Sequence, residues 1–203
     1  MFETGKCDRC GQESDLKKGL CKDCTEKSGV LMEIALGNLL EKTERYRLDG
    51  IQNAANGIGV MGAGIAGAIR SAGGIEIQQD ALRVCELEKP EAGQAYATIP
   101  GALGSRGIKY IIHAVTMKQP GGDTSLSVVR KAFSSALVLA TTLGIKRLGC
   151  TALGTGIGGL DPNGVAIAMF SIAQTITSVE VVFVDFDVEF IRELRKCQEV
   201  FKV

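Results

Sequence analysis

The chain has 203 residues, enough for one α/β domain and a small appendage. Hydrophobic residues make up 45% and aromatics only 5%, with no tryptophan, so any core is aliphatic. Lysine plus arginine equals aspartate plus glutamate at 23 each, which gives no electrostatic footprint for a membrane surface and does not indicate a nucleic-acid partner, although a local basic patch is compatible with it.

Four of the seven cysteines open the chain as Cys7-x-x-Cys10 and Cys21-x-x-Cys24, with ten residues between the pairs. Each pair can turn two thiolates onto one metal, and two pairs complete the tetrahedral sulfur shell of a structural zinc site. An odd number of cysteines without an export signal argues against a disulfide framework. A segment of about 28 residues cannot bury enough apolar surface to fold by itself, so zinc would supply its stability. Four thiolates leave no open coordination position, which disfavours catalytic zinc. Lys6, Arg9, Lys17, Lys18 and Lys22 are nearly cancelled by Asp8, Glu13, Asp15 and Asp23, so the module reads as a stabilising cap more than a nucleic-acid dock. Residues 25–29 form a polar linker, and the expected division is a zinc-ribbon-like module over 1–28 and an α/β domain over 29–203. No apolar run reaches the roughly 18 residues of a membrane span, and no secretion signal is evident, so a cytoplasmic protein is expected.

Beyond the linker, strand and helix patterns alternate. A strand is expected at 30–36 and a short one at 50–53, then helices at 61–72 and 76–87. Strands follow at 95–99 and 109–116, a helix at 126–143 ending at Gly144, and a buried strand at 147–153. A helix at 165–177, a β-branched strand at 180–186 and an amphipathic helix at 188–201 close the chain. This order predicts a largely parallel sheet covered on both faces. Ligands in such sheets bind beyond the carboxyl ends of the strands. Two glycine-dense loops fall at such ends, residues 56–64 and 154–159. Two loops of this kind suit a ligand with two phosphates and sugar hydroxyls, because backbone amides can approach anions closely there.

Gly62 to Gly67 satisfies the letters G-x-G-x-x-G of a dinucleotide-binding fingerprint. Its context does not fit. That fingerprint needs an unbroken hydrophobic strand before the first glycine and an acid about 20 positions later. Here Gly57 and Gly59 interrupt the approach, and Glu76 follows too soon, behind Gly73 and Gly74.

The neighbouring residues point elsewhere. Asn53-Ala54-Ala55-Asn56 followed by Gly62-Ala63-Gly64-Ile65-Ala66-Gly67-Ala68-Ile69 resembles the first signature of macrodomains. Ala152 to Gly159 resembles their second ligand loop, and residues 107–115 are similar to their central strand. The resemblance implies a three-layer α/β/α fold with a mixed central sheet and a cleft for ADP-ribose. It implies that Asn56 contacts the distal ribose, that Gly62, Gly64, Ile65 and Ala66 offer amides near phosphate or ribose, and that Gly154, Thr155, Gly156, Ile157 and Gly158 wrap the diphosphate. Asn53 would brace the first loop. Phe186 would stack on adenine, and Gly37-Asn38-Leu39 stands where the family often has Gly-Asp-Ile, so Asn38 replaces a charged adenine anchor and Leu39 lies beside it.

Other departures bear on chemistry. Ala66 stands where some hydrolases of the family carry Asp, and Met61 where others carry His. Gly158 replaces an aromatic, which would open room for a group attached at the distal ribose. His113, the one histidine, lies among apolar residues and reads as a core residue. Asp161 before Pro162 reads as a helix N-cap. The resemblance thus implies binding of ADP-ribose or an ADP-ribosylated macromolecule. It further implies hydrolysis of an ADP-ribose-linked bond, in which Asn56 would orient water in ADP-ribosylated protein, O-acetyl-ADP-ribose or ADP-ribose 1''-phosphate. The alternative is a reader that binds without chemistry.

Overall fold

The structure, a computed structural model, describes residues 3–6, 13–17, 20–21 and 32–201. The chain divides into two units, Met1–Leu31 with Lys202–Val203, and Met32–Phe201. In the first unit, β1 (Glu3–Lys6), β2 (Glu13–Lys17) and β3 (Leu20–Cys21) form an antiparallel sheet in that order. Cys7, Cys10 and Cys24 lie outside the described residues, and the expected zinc site with them; Cys21 ends β3.

The second unit is built on a six-stranded sheet. Its strands are β4 (Glu33–Leu36), β5 (Gly50–Asn56), β6 (Ala95–Thr98), β7 (Tyr110–Met117), β8 (Arg147–Cys150) and β9 (Glu180–Asp185), ordered β4-β9-β8-β5-β7-β6. All pairings are parallel except β6 with β7, so the sheet is mixed with one antiparallel edge. The helices are α1 (Gly64–Gly73), α2 (Ile75–Glu88), α3 (Leu126–Thr142), α4 (Pro162–Thr175) and α5 (Val188–Val200), with a 3-10 turn at Gly101–Arg106.

Strand periodicity sorts the apolar residues into two cores. On β9, Val181 and Phe183 enter a core with α3, α4 and α5, while Val182 and Val184 enter another with α1, α2 and the 3-10 turn. Because both faces are covered, the strands read in sequence as continuous apolar runs. Close packing fixes one glycine: a Cβ on Gly149 would lie 2.5 Å from Leu48 Cδ1 and 2.7 Å from Leu39 Cδ1.

Element ends differ from the sequence expectation where long-range pairing decides them. β5 continues to Asn56 because its ladder with β7 runs through Asn56 opposite Met117. α1 starts at Gly64 and not at Met61, whose backbone N–H is held by Gln78 Oε1 at 2.9 Å. β8 stops at Cys150, and the next turn is held by the Ala152 N–H donating to Asp185 Oδ2 at 2.8 Å. α4 starts earlier than expected, at Pro162, with Asp161 accepting from the Asn163 and Gly164 amides as its N-cap.

Candidate ligand-binding cleft

A cleft of about 650 Å³ lies at the carboxyl ends of the parallel strands. That volume is in the range of small-molecule sites. The sequence-predicted residues meet there: Asn38, Leu39, Asn56, Gly62, Gly64, Ile65, Ala66, Gly154, Thr155, Gly156, Ile157, Gly158 and Phe186 all line it.

The first wall is the loop from Asn56 to the start of α1. Asn56 pins this loop with its own amide: Nδ2 donates to Val60 O at 2.8 Å, and Oδ1 accepts from the Ile58 and Val60 amides, each at 3.2 Å. One amide N–H remains for a ligand. Gly59 sits at φ +77, and a Cβ there would lie 2.5 Å from Ala81 O, so the loop rests directly on α2. Gln78 clasps it from below, donating to Gly59 O at 2.8 Å and accepting from Met61 N. Met61, within this loop, is itself buried. α1 then begins without a side-chain cap and without an acid in its first turn. Its first amides and its dipole are therefore available to an anion in the cleft.

The second wall is the loop after β8. A Cβ on Gly158 would lie 2.5 Å from both Gly154 O and Thr124 Cγ2. Gly158 is thus required by the fold of the loop on itself, and its small size does not open room for an attached group as the sequence suggested. Gly156 differs, because a Cβ there would meet nothing within 4 Å, and the same holds at Gly62 in the first wall. Ile157 stands 71% exposed at the loop tip.

The third side is formed by the ends of β4 and β9. Phe186 is 71% exposed and belongs to no core cluster. Asn38 caps its own turn, with Oδ1 accepting from Leu40 N at 3.0 Å and Nδ2 donating to Glu41 Oε1 at 3.1 Å. Among the described lining residues, Asp185 is the one ionisable side chain. Among the described residues no lysine, arginine or histidine lines the cleft, so anion binding would fall to backbone amides.

Asn53 does not brace the loop as expected. With β5 extended to Asn56, Asn53 lies mid-strand opposite His113. Its Nδ2 donates to His113 Nδ1 at 3.0 Å, which leaves Nε2–H to donate to Thr98 Oγ1 at 2.8 Å. The ring also stacks on Tyr96, with centroids 4.5 Å apart and planes 4° from parallel. Burial pushes the His113 pKa down to about 3, against the opposing pull of the Asp80 charge. His113 is therefore a neutral core residue tying β5, β7 and β6, as the sequence suggested. Burial likewise raises the thiol pKa values of Cys85 and Cys150.

Two residues escaped the sequence reading. Gln78 left a trace: it shares helical spacing with the buried Ala81 and Cys85, a polar residue in an apolar stripe. Asp185 ends a β-branched strand and left no local trace.

A three-layer fold with two glycine walls over a cleft defines the class. Residues 52–169 match the Macro domain family, more than half of the chain, and the chain belongs to that family. It is 35% identical over 143 residues to a protein of Aeropyrum pernix, a match that takes in 70% of each chain. The macrodomain of Mycobacterium tuberculosis DarG superposes with a TM-score of 0.66 at 26% identity, covering 77% of this chain and 98% of that one. The Oceanobacillus iheyensis macrodomain G37V mutant, solved with ADPR, superposes with a TM-score of 0.71 at 20% identity, covering 86% and 97%. Among the described residues, no helix is long and apolar enough to cross a membrane.

Proposed function

We propose that the cleft binds ADP-ribose, either free or as the ADP-ribosyl group of a modified macromolecule. The observation that carries this reading is the pair Gly62 and Gly156, one in each wall, where a side chain would meet no protein atom. Neither needs to be glycine to avoid a clash within the fold, so the absent side chains leave bare backbone for a ligand. An uncapped α1 N-terminus facing the same cleft supplies anion donors without a fixed cation. The ADPR in the O. iheyensis macrodomain supports the same ligand class.

Hydrolysis is the second reading. Asp185 is the one candidate acid or base among the described lining residues, and each of its oxygens accepts a backbone N–H. The Asn56 amide is largely spent on its loop. Turnover would therefore rest on Asn56 orienting a water and on assistance from the substrate phosphate. Calorimetric titration with ADP-ribose tests binding, and absence of heat at any accessible concentration would reject it. Incubation with ADP-ribosylated protein, O-acetyl-ADP-ribose and ADP-ribose 1''-phosphate then separates the two readings, since binding without product selects the reader. The paired C-x-x-C spacing supports one structural zinc in residues 1–28, and metal content of the full chain, expected at about one zinc per molecule, tests it.

A further inference from the structure

The end of the cleft between β4 and β9 carries an acceptor that the sequence did not reveal. Asp185 is half-buried and lines the cleft together with Asn38 and Phe186. Its carboxylate is fixed by two backbone donors, Ala152 N to Oδ2 and Asp187 N to Oδ1, each at 2.8 Å. Its own carbonyl accepts from Gly37 N at 2.9 Å, which ties it to the turn bearing Asn38. An ionised carboxylate has about four acceptor positions, so two backbone bonds leave each oxygen another. Asn38 is differently placed, because both ends of its amide close onto residues 40 and 41.

Resting on the ADP-ribose reading above, we propose that Asp185 is the specificity-determining acceptor for the base, selecting a purine with an amino group at its 6-position over one with a 6-oxo group. The exposed ring of Phe186 offers the flat face for that base. A carboxylate accepts and cannot donate, so a 6-amino group gains a charge-assisted bond, whereas a 6-oxo group would set acceptor against acceptor. Fixing by two amides holds the carboxylate in place before the ligand arrives.

The test is calorimetric titration of the full chain with ADP-ribose and with its hypoxanthine counterpart. The wild type is expected to prefer ADP-ribose by about tenfold or more, the scale of a hydrogen bond to a charged group. D185N should bring the two affinities within about threefold, and N38A should leave the preference standing. A preference is a ratio, so a variant that merely loosens the loops would weaken both ligands together and leave it unchanged. Equal affinities in the wild type overturn the inference without reference to any variant. So does a preference that survives in D185N, or one that N38A abolishes. If the wild type binds neither ligand, the ADP-ribose reading itself falls and the inference with it.

Discussion

Gly156 and Gly158 belong to one loop, yet substitution should affect different properties. A valine at Gly156 would place its Cβ where nothing lies within 4 Å, and the backbone there has no left-handed φ. Stability should change by less than about 1 kcal/mol, because the stiffer unfolded chain offsets strain in the folded one. An alanine at Gly158 would place its Cβ 2.5 Å from Gly154 O, a backbone atom, and 2.5 Å from Thr124 Cγ2. Something must shift, at an overpacking cost of about 1–3 kcal/mol. For a domain of this size each kcal/mol moves Tm by about 2–4 °C, so G158A should melt roughly 2–12 °C lower while G156V melts near the wild type. Binding should show the reverse order of selectivity. In G156V the isopropyl group would keep a diphosphate from the loop amides; losing even one charge-assisted bond is worth about 1.5–3 kcal/mol, a factor of roughly 10–100 in Kd. Differential scanning calorimetry and titration with ADP-ribose read the two effects separately. G156V that binds as tightly as the wild type would refute the argument that this glycine serves the ligand.

The other predictions concern groups outside the lining. Q78A removes the donor to Gly59 O and the acceptor from Met61 N, and should cost about 2–4 kcal/mol of stability by urea titration while weakening ADP-ribose binding several-fold; unchanged binding in a folded variant would show that the clasp does not set the loop. His113 has a folded pKa near 3 against an ordinary value near 6.5, so the unfolded chain takes up a proton that the folded chain refuses. Its contribution is complete above about pH 6.5 and is lost as pH falls, by roughly 2 kcal/mol at pH 5, and H113Q should remove that slope between pH 7 and 5 in urea midpoints. Because no basic side chain lines the cleft among the described residues, ADP-ribose Kd should change less than about threefold between roughly 0.05 and 0.5 M salt; a steep dependence would reveal a cation at the phosphates.

What the sequence disclosed follows the range of the interactions involved. Apolar runs gave the strands, since a sheet covered on both faces leaves no alternation to read. Glycine loops at strand ends gave the cleft. The roles of individual loop residues depended on contacts far along the chain. Asn53 and Asn56 sit in one four-residue motif, but the register of β5 on β7 buries the first against His113 and delivers the second to the loop. Gly156 and Gly158 look alike until Thr124 is brought beneath the latter. Element ends shifted by two or three residues for the same reason, as with Gln78 holding Met61 outside α1.

A cleft whose donors are backbone amides places its demands on the residues that hold those amides in position. An amide cannot rotate toward a phosphate as a lysine can, so the whole loop must hold its shape beforehand. Here that shape is fixed partly from outside the cleft surface, where Gln78 clasps one wall and Thr124 packs beneath the other, and partly by two lining residues: Asn56 crosses the first wall and Asp185 anchors the turn after β8. Affinity should therefore be more sensitive to these supports than to the side chains of Ile65, Ala66 or Thr155, whose backbones do the binding in this reading. Exchanging Thr155 for valine keeps its amide and should leave ADP-ribose Kd within about threefold, whereas Q78A should not. A Thr155 effect larger than that of Q78A would show that the cleft binds through side chains after all.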